Sequence, residues 1–270
     1  MSTPFASYEK TGRIARVTLS RPESRNAVAR LEDCRDVVDA VTRANDDPEV
    51  NVMILTGAGA AFSSGGDLRT LRDRSGIGPQ RAGGPAETRA TYRRGVQSMI
   101  RAFADAEIAT IAAINGPAIG LGLDLALICD MRVCARSARL ASSFLKVGII
   151  PGDGGAWILS KTVGYARAAE LILTGEQIGA DEALRLGLVN TVADDDKLMQ
   201  DALALAERVA VNPPRAVRLA KRLLRESQHA RLSDMLELSA AFQALAHETE
   251  DHKEAVDSFF EKRPPRFTGN

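Results

Sequence analysis

The stretch Asn115-Gly116-Pro117-Ala118-Ile119-Gly120-Leu121-Gly122-Leu123-Asp124-Leu125 decides how this chain folds and where its chemistry can lie. The apolar run at 108–114 just before it is typical of a buried strand, and Asn115-Gly116-Pro117 predicts the turn that ends that strand. The run at 118–129 is almost wholly apolar, which indicates a buried helix. Asp124 would then lie among leucines, where burial raises the pKa of a carboxyl that has no partner.

A second glycine-rich turn has the same layout. The apolar stretch 51–55 runs through Gly57-Ala58-Gly59 to Ser64-Gly65-Gly66-Asp67. Small residues let a ligand approach the backbone, so both turns can present bare N–H groups. Two N–H groups that converge on one carbonyl oxygen form an oxyanion hole, to which a helix N-terminus near Gly120 would add its dipole. The alternative is that the glycines only turn the chain, and that Asp67 and Asp124 cap or pair locally.

Short β-rich runs alternate with helical runs in the first half of the chain. A strand is expected at 14–19, a helix from about 30 to 45 and a second strand at 51–55, which together predict parallel strands joined by helices. The stretch 69–94 is rich in Gly, Pro and Arg, which indicates a mobile surface loop that runs into a helix at about 91–105. Strand signals stop near residue 195, and three amphipathic helices are expected after it, the second beginning at Asn212-Pro213-Pro214.

Composition excludes several classes of protein. Of the 270 residues 45% are apolar and 26% charged, which is typical of a globular chain. The 35 basic residues balance 35 acidic ones, so no nucleic-acid or membrane partner is expected. Three cysteines without zinc-site spacing indicate reduced thiols and a cytoplasmic location. No apolar stretch is long enough to predict a membrane span.

Three apparent motifs fail on their spacing. A zinc-binding helix would need its second histidine at 251, whereas the chain has His247 and His252, whose side chains would diverge by about 140° on one helix. No metal site is therefore expected. Ser64 lacks the glycine two residues before it that a nucleophile elbow requires. The glycines at 120 and 122 lack the third glycine of a dinucleotide-binding turn.

The chain resembles the crotonase superfamily, which includes the enoyl-CoA hydratases and isomerases, over nearly its whole length. The motifs that carry this resemblance are Arg21-Pro22-Glu23-Ser24-Arg25-Asn26-Ala27, Ala61-Phe62-Ser63-Ser64-Gly65-Gly66-Asp67-Leu68, the stretch 115–125, Cys129-Asp130, Val147-Gly148-Ile149-Ile150-Pro151-Gly152-Asp153-Gly154-Gly155, Leu173-Thr174-Gly175, residues 180–189 and Phe259-Phe260-Glu261-Lys262-Arg263.

The resemblance implies an α/β fold of a particular kind. Residues 1–195 would form a crotonase-like spiral of ββα turns, and residues 196–270 a helical C-terminal region used for trimerisation. The protein would be a homotrimer or a dimer of trimers. Its substrate would be an acyl-CoA thioester, and it would need no metal or redox cofactor.

The resemblance also implies roles for individual residues. The N–H groups of Gly66 and Gly120 would polarise the thioester carbonyl and hold the enolate. Further residues would contact CoA, namely Arg25, Ser64, Gly66, Leu68, Phe259 and Lys262. Phe144, the loop at 69–94 and the helix near 140–146 would line the acyl pocket.

The carboxylates depart from the hydratase pattern. Hydratases of this family resemble one another in two glutamates, twenty residues apart, that hold and activate water. Here those positions hold Asp124 and Phe144, and Phe144 can neither hold water nor move a proton. Asp153 lies in the loop where isomerases of the family carry an acid, although one residue later. Asp153 is therefore either an acid–base residue or the N-cap of a helix that begins near Gly155.

We therefore expect an enzyme that isomerises the double bond of an enoyl-CoA with Asp124 and Asp153. Hydration by an altered acid–base pair, hydrolysis and C–C cleavage are alternatives within the fold. A non-catalytic relative that binds acyl-CoA or RNA is an alternative of another class.

Overall fold

The computed structural model describes residues 3–79 and 83–270. Its larger sheet contains, side by side, β1 (Ala6–Thr11), β2 (Ile14–Leu19), β3 (Val52–Gly57), β4 (Ala109–Ile114), β6 (Met131–Ala135) and β9 (Thr191–Ala193). β1 and β2 form an antiparallel hairpin, and each later neighbour is parallel.

The chain also forms a smaller sheet, whose strands lie between strands of the larger sheet along the sequence. It contains β5 (Ala118–Ile119), β7 (Arg139–Ala141) and β8 (Ile178–Gly179), and single parallel bridges between Ser63 and Ala118 and between Val28 and Gly66 continue the same layer. The chain passes from β4 to β5 and again from β6 to β7, so each turn adds one strand to each sheet. This path is the expected spiral.

Helices connect and cover the strands. They are α1 (Leu31–Asp46), α2 (Leu68–Asp73), α3 (Pro85–Arg94), α4 (Val96–Asp105), α5 (Leu121–Leu127), α6 (Gly155–Thr174, broken at Gly164), α7 (Ala180–Arg185), α8 (Leu198–Ala210), α9 (Pro214–Glu226), α10 (Leu232–His247) and α11 (Glu250–Glu261). Short 3₁₀ helices span Pro22–Ser24, Phe144–Val147 and Asp195–Lys197.

The centre of the larger sheet forms the core. Every residue of β3 and of β4 is buried, as expected of parallel strands covered on both faces. α8 packs against β3, β4 and β6, so the first helix after residue 195 belongs to the sheet's packing. The division of the chain into a spiral core and a trimerisation region stays a prediction.

Several predicted elements are confirmed. The strands predicted at 14–19, 51–55 and 108–114 are β2, β3 and β4, and the helix predicted from 30 to 45 is α1. The helix predicted at Pro214 begins there because proline fits the first helical turn, where no N–H partner is lost.

Other predictions were wrong. Residues 118–129 are not one helix, because β5 and its turn precede the shorter α5. The stretch 69–94 is not a loop, because α2 and α3 occupy most of it, although residues 80–82 of that stretch lie outside the described residues. Within the described chain, four helices rather than three follow residue 195. The hairpin strand β1 was not predicted.

The pair His247 and His252 also differs from expectation. α10 ends at His247 and α11 begins at Glu250, so the two side chains do not lie on one helix. Nδ1 of His247 is 2.9 Å from Nε2 of His252, and the rings meet edge to face. Across residues 3–79 and 83–270, none of the helices is both long and apolar enough to cross a membrane.

Candidate active site

The two glycine-rich turns predicted from the sequence meet in the structure. The N–H of Ile119 donates to the carbonyl of Ser63 at 3.0 Å, which joins them through backbone alone. Gly65 has a φ of +83°, and a Cβ at that position would lie 2.5 Å from the carbonyl oxygen of Ile119. Only glycine fits this contact, which explains why the turns lack side chains here.

The Gly120 N–H is not available to a ligand. It donates to the carbonyl of Ala141 at 2.8 Å, in the pairing of β5 with β7. The prediction that Gly120 supplies an oxyanion donor was therefore wrong by one residue. The next N–H, that of Leu121, is the first of α5 and has no acceptor among the described residues. The Gly66 N–H on the opposite turn likewise lacks an acceptor within that part of the chain.

A cavity opens over these two turns. Six of the residues predicted for the site line it, namely Ser64, Gly66, Leu68, Gly120, Phe144 and Asp153. The Phe144 ring covers the turn that contains Gly120, because a Cβ on Gly120 would lie 3.5 Å from two of its ring carbons. Phe144 therefore gives an apolar surface to the part of the cavity next to the free N–H groups.

Asp124 and Asp153 form a buried pair at the base of this cavity. Asp124 lies in the first turn of α5 and is 1% exposed, and Asp153 lies just before α6 and is 4% exposed. Asp153 lines the cavity, whereas Asp124 lies behind it. The two carboxyls hydrogen-bond when one of them holds a proton. When both are ionised, Oδ2 of Asp124 has no donor within the described chain.

The pair holds one proton more readily than two isolated carboxyls would. Burial, the charge of Asp153 and the hydrogen bond to it raise the pKa of Asp124 well above its ordinary value. Burial also raises the pKa of Asp153, but hydrogen bonds from Asp124 and the Gly155 N–H oppose that rise. The pKa values of both carboxyls are thus raised by burial, that of Asp124 more strongly, and Asp153 is the member of the pair that lines the cavity.

The N-cap interpretation of Asp153 was wrong. α6 begins at Gly155, its N-cap residue is Gly154, and no side chain makes a cap hydrogen bond there. The Gly155 N–H donates to Asp153 Oδ1 over a long distance of 3.4 Å. Gly155 also lies directly against the pair, since a Cβ there would lie 2.2 Å from Oδ2 of Asp124.

Two residues that the sequence did not indicate hold the loop of Asp153. Nε2 of Gln97 on α4 donates to the carbonyl of Gly152 at 2.8 Å. The ring of Tyr92 on α3 lies against Gly152, because a Cβ there would lie 2.9 Å from Cε1 of Tyr92. Neither residue belongs to a motif, since both reach the loop only through the packing of α3 and α4.

The other predicted CoA contacts lie outside the cavity lining. Arg25 is exposed, and its carbonyl accepts the Ser64 N–H at 2.9 Å, so it lies beside a lining residue. Phe259 and Lys262 are exposed at the end of α11 and do not line the cavity of their own chain. Across the described residues, no group of three or more His, Cys, Asp or Glu side chains is placed to hold a metal ion.

Comparison with known proteins identifies one family. The family model described as enoyl-CoA hydratase/isomerase matches residues 9–270. The chain is 36% identical to the enoyl-CoA isomerase/hydratase of Mycosarcoma maydis, over 98% of this chain and 96% of that one. It is 35% identical to the 1,2-epoxyphenylacetyl-CoA isomerase of Escherichia coli, over 94% of each chain.

Solved structures show the same fold. The enoyl-CoA hydratase of Bacillus anthracis matches with a TM-score of 0.90 at 32% identity, over 98% of this chain and 100% of that one. The predicted fold class is thus confirmed. The family match over almost the whole chain and the shared fold lead to one conclusion: this chain belongs to the enoyl-CoA hydratase/isomerase family, and it is an enzyme of that type.

Proposed function

We propose that the protein isomerises the double bond of an enoyl-CoA. The observation that carries this proposal is the buried Asp124–Asp153 pair beside a cavity in which Phe144 stands where hydratases have their second glutamate. A pair with one proton contains a base and a neutral acid side by side.

The thioester carbonyl would lie between the two free backbone donors. The N–H groups of Gly66 and Leu121 would donate to its oxygen, which becomes negative as the enolate forms. Both residues line the cavity, and neither N–H is used by the fold within the described chain. Such donors cost no reorganisation during the reaction, because the packed turns already fix them.

Asp153 would move the proton. Its carboxylate removes a proton from the α carbon of a 3-enoyl-CoA, the C–H electrons form the dienolate, and the same carboxyl then returns the proton to the γ carbon. The product is the conjugated 2-enoyl-CoA, and no water is consumed. Asp124, which keeps its own proton, donates a hydrogen bond that stabilises the Asp153 carboxylate before the first transfer and again after the second.

Phe144 favours proton return over hydration. Its ring lies next to the turn that would hold the thioester oxygen, so position 144 offers no carboxylate that could hold a water together with Asp124. An apolar wall also makes the pocket drier, so the dienolate takes up its proton at the γ carbon and water does not add to the conjugated product. Hydration is the second candidate, because the similar structure from Bacillus anthracis is named as an enoyl-CoA hydratase.

Two substrates separate these candidates. The purified protein is incubated with trans-3-hexenoyl-CoA and, separately, with crotonyl-CoA, and the products are identified by mass and by the absorbance of the conjugated thioester. We expect conversion of the 3-enoyl substrate to be faster than hydration of crotonyl-CoA by at least about 10². Faster hydration would refute the isomerase proposal, and turnover of neither substrate would favour a binding protein.

We also propose that the protein is a homotrimer or a dimer of trimers. Large apolar side chains are exposed on the C-terminal helices, including Leu232, Leu236, Phe259 and Phe260. An exposed apolar surface of this kind is usually buried between copies of the chain in an oligomer. In a trimer, Phe259 and Lys262 of one subunit would reach the CoA of its neighbour. Light scattering at micromolar concentration tests this proposal, and a monomeric mass would contradict it.

A further inference from the structure

The acyl side of the cavity contains a hydroxyl that the isomerisation does not use. Tyr92 lines the cavity from α3, and its ring lies against Gly152, the residue before Asp153. Its hydroxyl has no hydrogen-bond partner among residues 3–79 and 83–270. Nor is that hydroxyl sealed from solvent, in contrast to the enclosed hydroxyl of Tyr8. Tyr92 lines the cavity, so a ligand bound there contacts this residue.

Other hydroxyls of the cavity are engaged or lie elsewhere. The Thr70 hydroxyl donates to the carbonyl of Asp67 at 2.8 Å, and that of Ser64 donates to the carbonyl of Ser24 at 3.3 Å. Ser143 has a free hydroxyl but precedes Phe144, on the side that covers Gly120. Tyr92 is thus the free hydroxyl next to the loop of the proposed base.

The surroundings of Tyr92 define what its hydroxyl can recognise. The neighbouring wall is aliphatic and aromatic, formed by Val28, Leu71, Ile77, Val96, Phe144 and Ile149. No Lys, Arg or His side chain lines the cavity within the described chain. A carboxylate on the acyl chain would lose its hydration there without gaining a cation, whereas a neutral oxygen needs one donor only.

Tyr92 can serve as that donor over the whole physiological pH range. Burial, and secondly the charge of Asp153, raise the pKa of its phenol above the ordinary value of 10.0. The phenol therefore stays protonated and neutral, and it can donate to an uncharged oxygen.

We propose that Tyr92 is a specificity-determining residue that selects acyl-CoA substrates with a neutral oxygen, as hydroxyl, ether or carbonyl, beyond the γ carbon of the acyl chain. The direction in which the acyl chain runs through the cavity rests on the proposed function, in which the thioester oxygen lies at Gly66 and Leu121 and the reacting carbons lie at Asp153. Because Tyr92 lines the cavity and its ring touches Gly152, next to Asp153, the proposal sets the part of the acyl chain beyond the reacting carbons beside Tyr92.

Binding of unreactive analogues tests this inference without turnover. Pentanoyl-CoA and 5-hydroxypentanoyl-CoA, which have no double bond to move, are titrated calorimetrically into the wild type, Tyr92→Phe and Ser143→Ala. We expect the wild type and Ser143→Ala to bind the hydroxylated ligand about 5- to 10-fold more tightly, as one neutral hydrogen bond provides. Tyr92→Phe should bind both ligands equally, with its affinity for pentanoyl-CoA unchanged.

Two results would overturn the inference: equal affinity of the wild type for both ligands, or a preference that survives in Tyr92→Phe. Folding of the variant is checked by its melting temperature, which should not change because the lost hydroxyl has no partner within the fold. Tight binding without isomerase turnover would refute the proposed reaction and leave the role of Tyr92 standing. Failure of every acyl-CoA to bind would overturn both.

Discussion

Replacing Leu121 with proline would remove one backbone N–H from the cavity and leave α5 in place. Leu121 is the first residue of α5, a position at which proline is favourable because its fixed φ suits the helix. Its N–H has no acceptor within the described chain, so the fold loses no hydrogen bond. Loss of one oxyanion donor typically lowers turnover by about 10² to 10³, or about 2.7 to 4 kcal/mol of transition-state stabilisation.

The matched control is Leu121→Ala, which keeps the N–H and loses the side chain. Leu121 is 3% exposed, so truncation should cost about 2 to 5 kcal/mol of stability in both variants. Turnover of a 3-enoyl-CoA is measured below the melting range of each variant. Leu121→Pro should be slower than Leu121→Ala by about 10² to 10³. Equal turnover of the two variants would refute the role assigned to the Leu121 N–H.

Further predictions concern the acid pair and the residues that hold it. Asp124→Asn should raise the free energy of unfolding at neutral pH, because the unfolded chain ionises Asp124 near its ordinary pKa of 3.8 while the folded protein keeps it protonated. The difference in free energy of unfolding between Asp124→Asn and the wild type should grow by up to about 1.4 kcal/mol per pH unit as pH rises from 4 toward the raised pKa of Asp124. Urea unfolding at several pH values checks this. Gly155→Ala should lower turnover by about 10², because its Cβ would lie 2.2 Å from Oδ2 of Asp124 and must displace that carboxyl. Gln97→Ala should lower kcat by about 10-fold with little change in KM, because Gln97 holds the Gly152 carbonyl rather than the substrate. Steady-state kinetics tests both of these variants, and an unchanged kcat in either would contradict the corresponding contact.

The sequence predicted the core strands well, for a physical reason. β3 and β4 are buried on both faces, so their residues form continuous apolar runs that differ from every surface segment. α2 and α3 were missed, because the Gly and Pro residues that lie between them at 76–84 gave the whole stretch the composition of a loop. α3 also packs against α4, a tertiary contact that no local pattern records.

The carboxylates of the candidate site and the Gly66 N–H could be predicted from the sequence, but the second backbone donor could not. The family motifs in the sequence were enough to identify Asp124, Phe144 and Asp153. The choice between the N–H groups of Gly120 and Leu121 depends on the hydrogen bond from Gly120 to the carbonyl of Ala141, which lies 21 residues after Gly120. Tyr92 also escaped prediction, because it reaches Gly152 only through the packing of α3.

The central claim is that Asp153 transfers the proton, and turnover of trans-3-hexenoyl-CoA by Asp153→Asn tests it most directly. Asparagine has nearly the same shape and cannot accept the proton, and the exposed Asp194→Asn serves as control. The account predicts that Asp153→Asn folds with a stability change below about 1 kcal/mol and turns over at least about 10² more slowly than the wild type, while Asp194→Asn is unchanged. Full activity of Asp153→Asn would contradict the account.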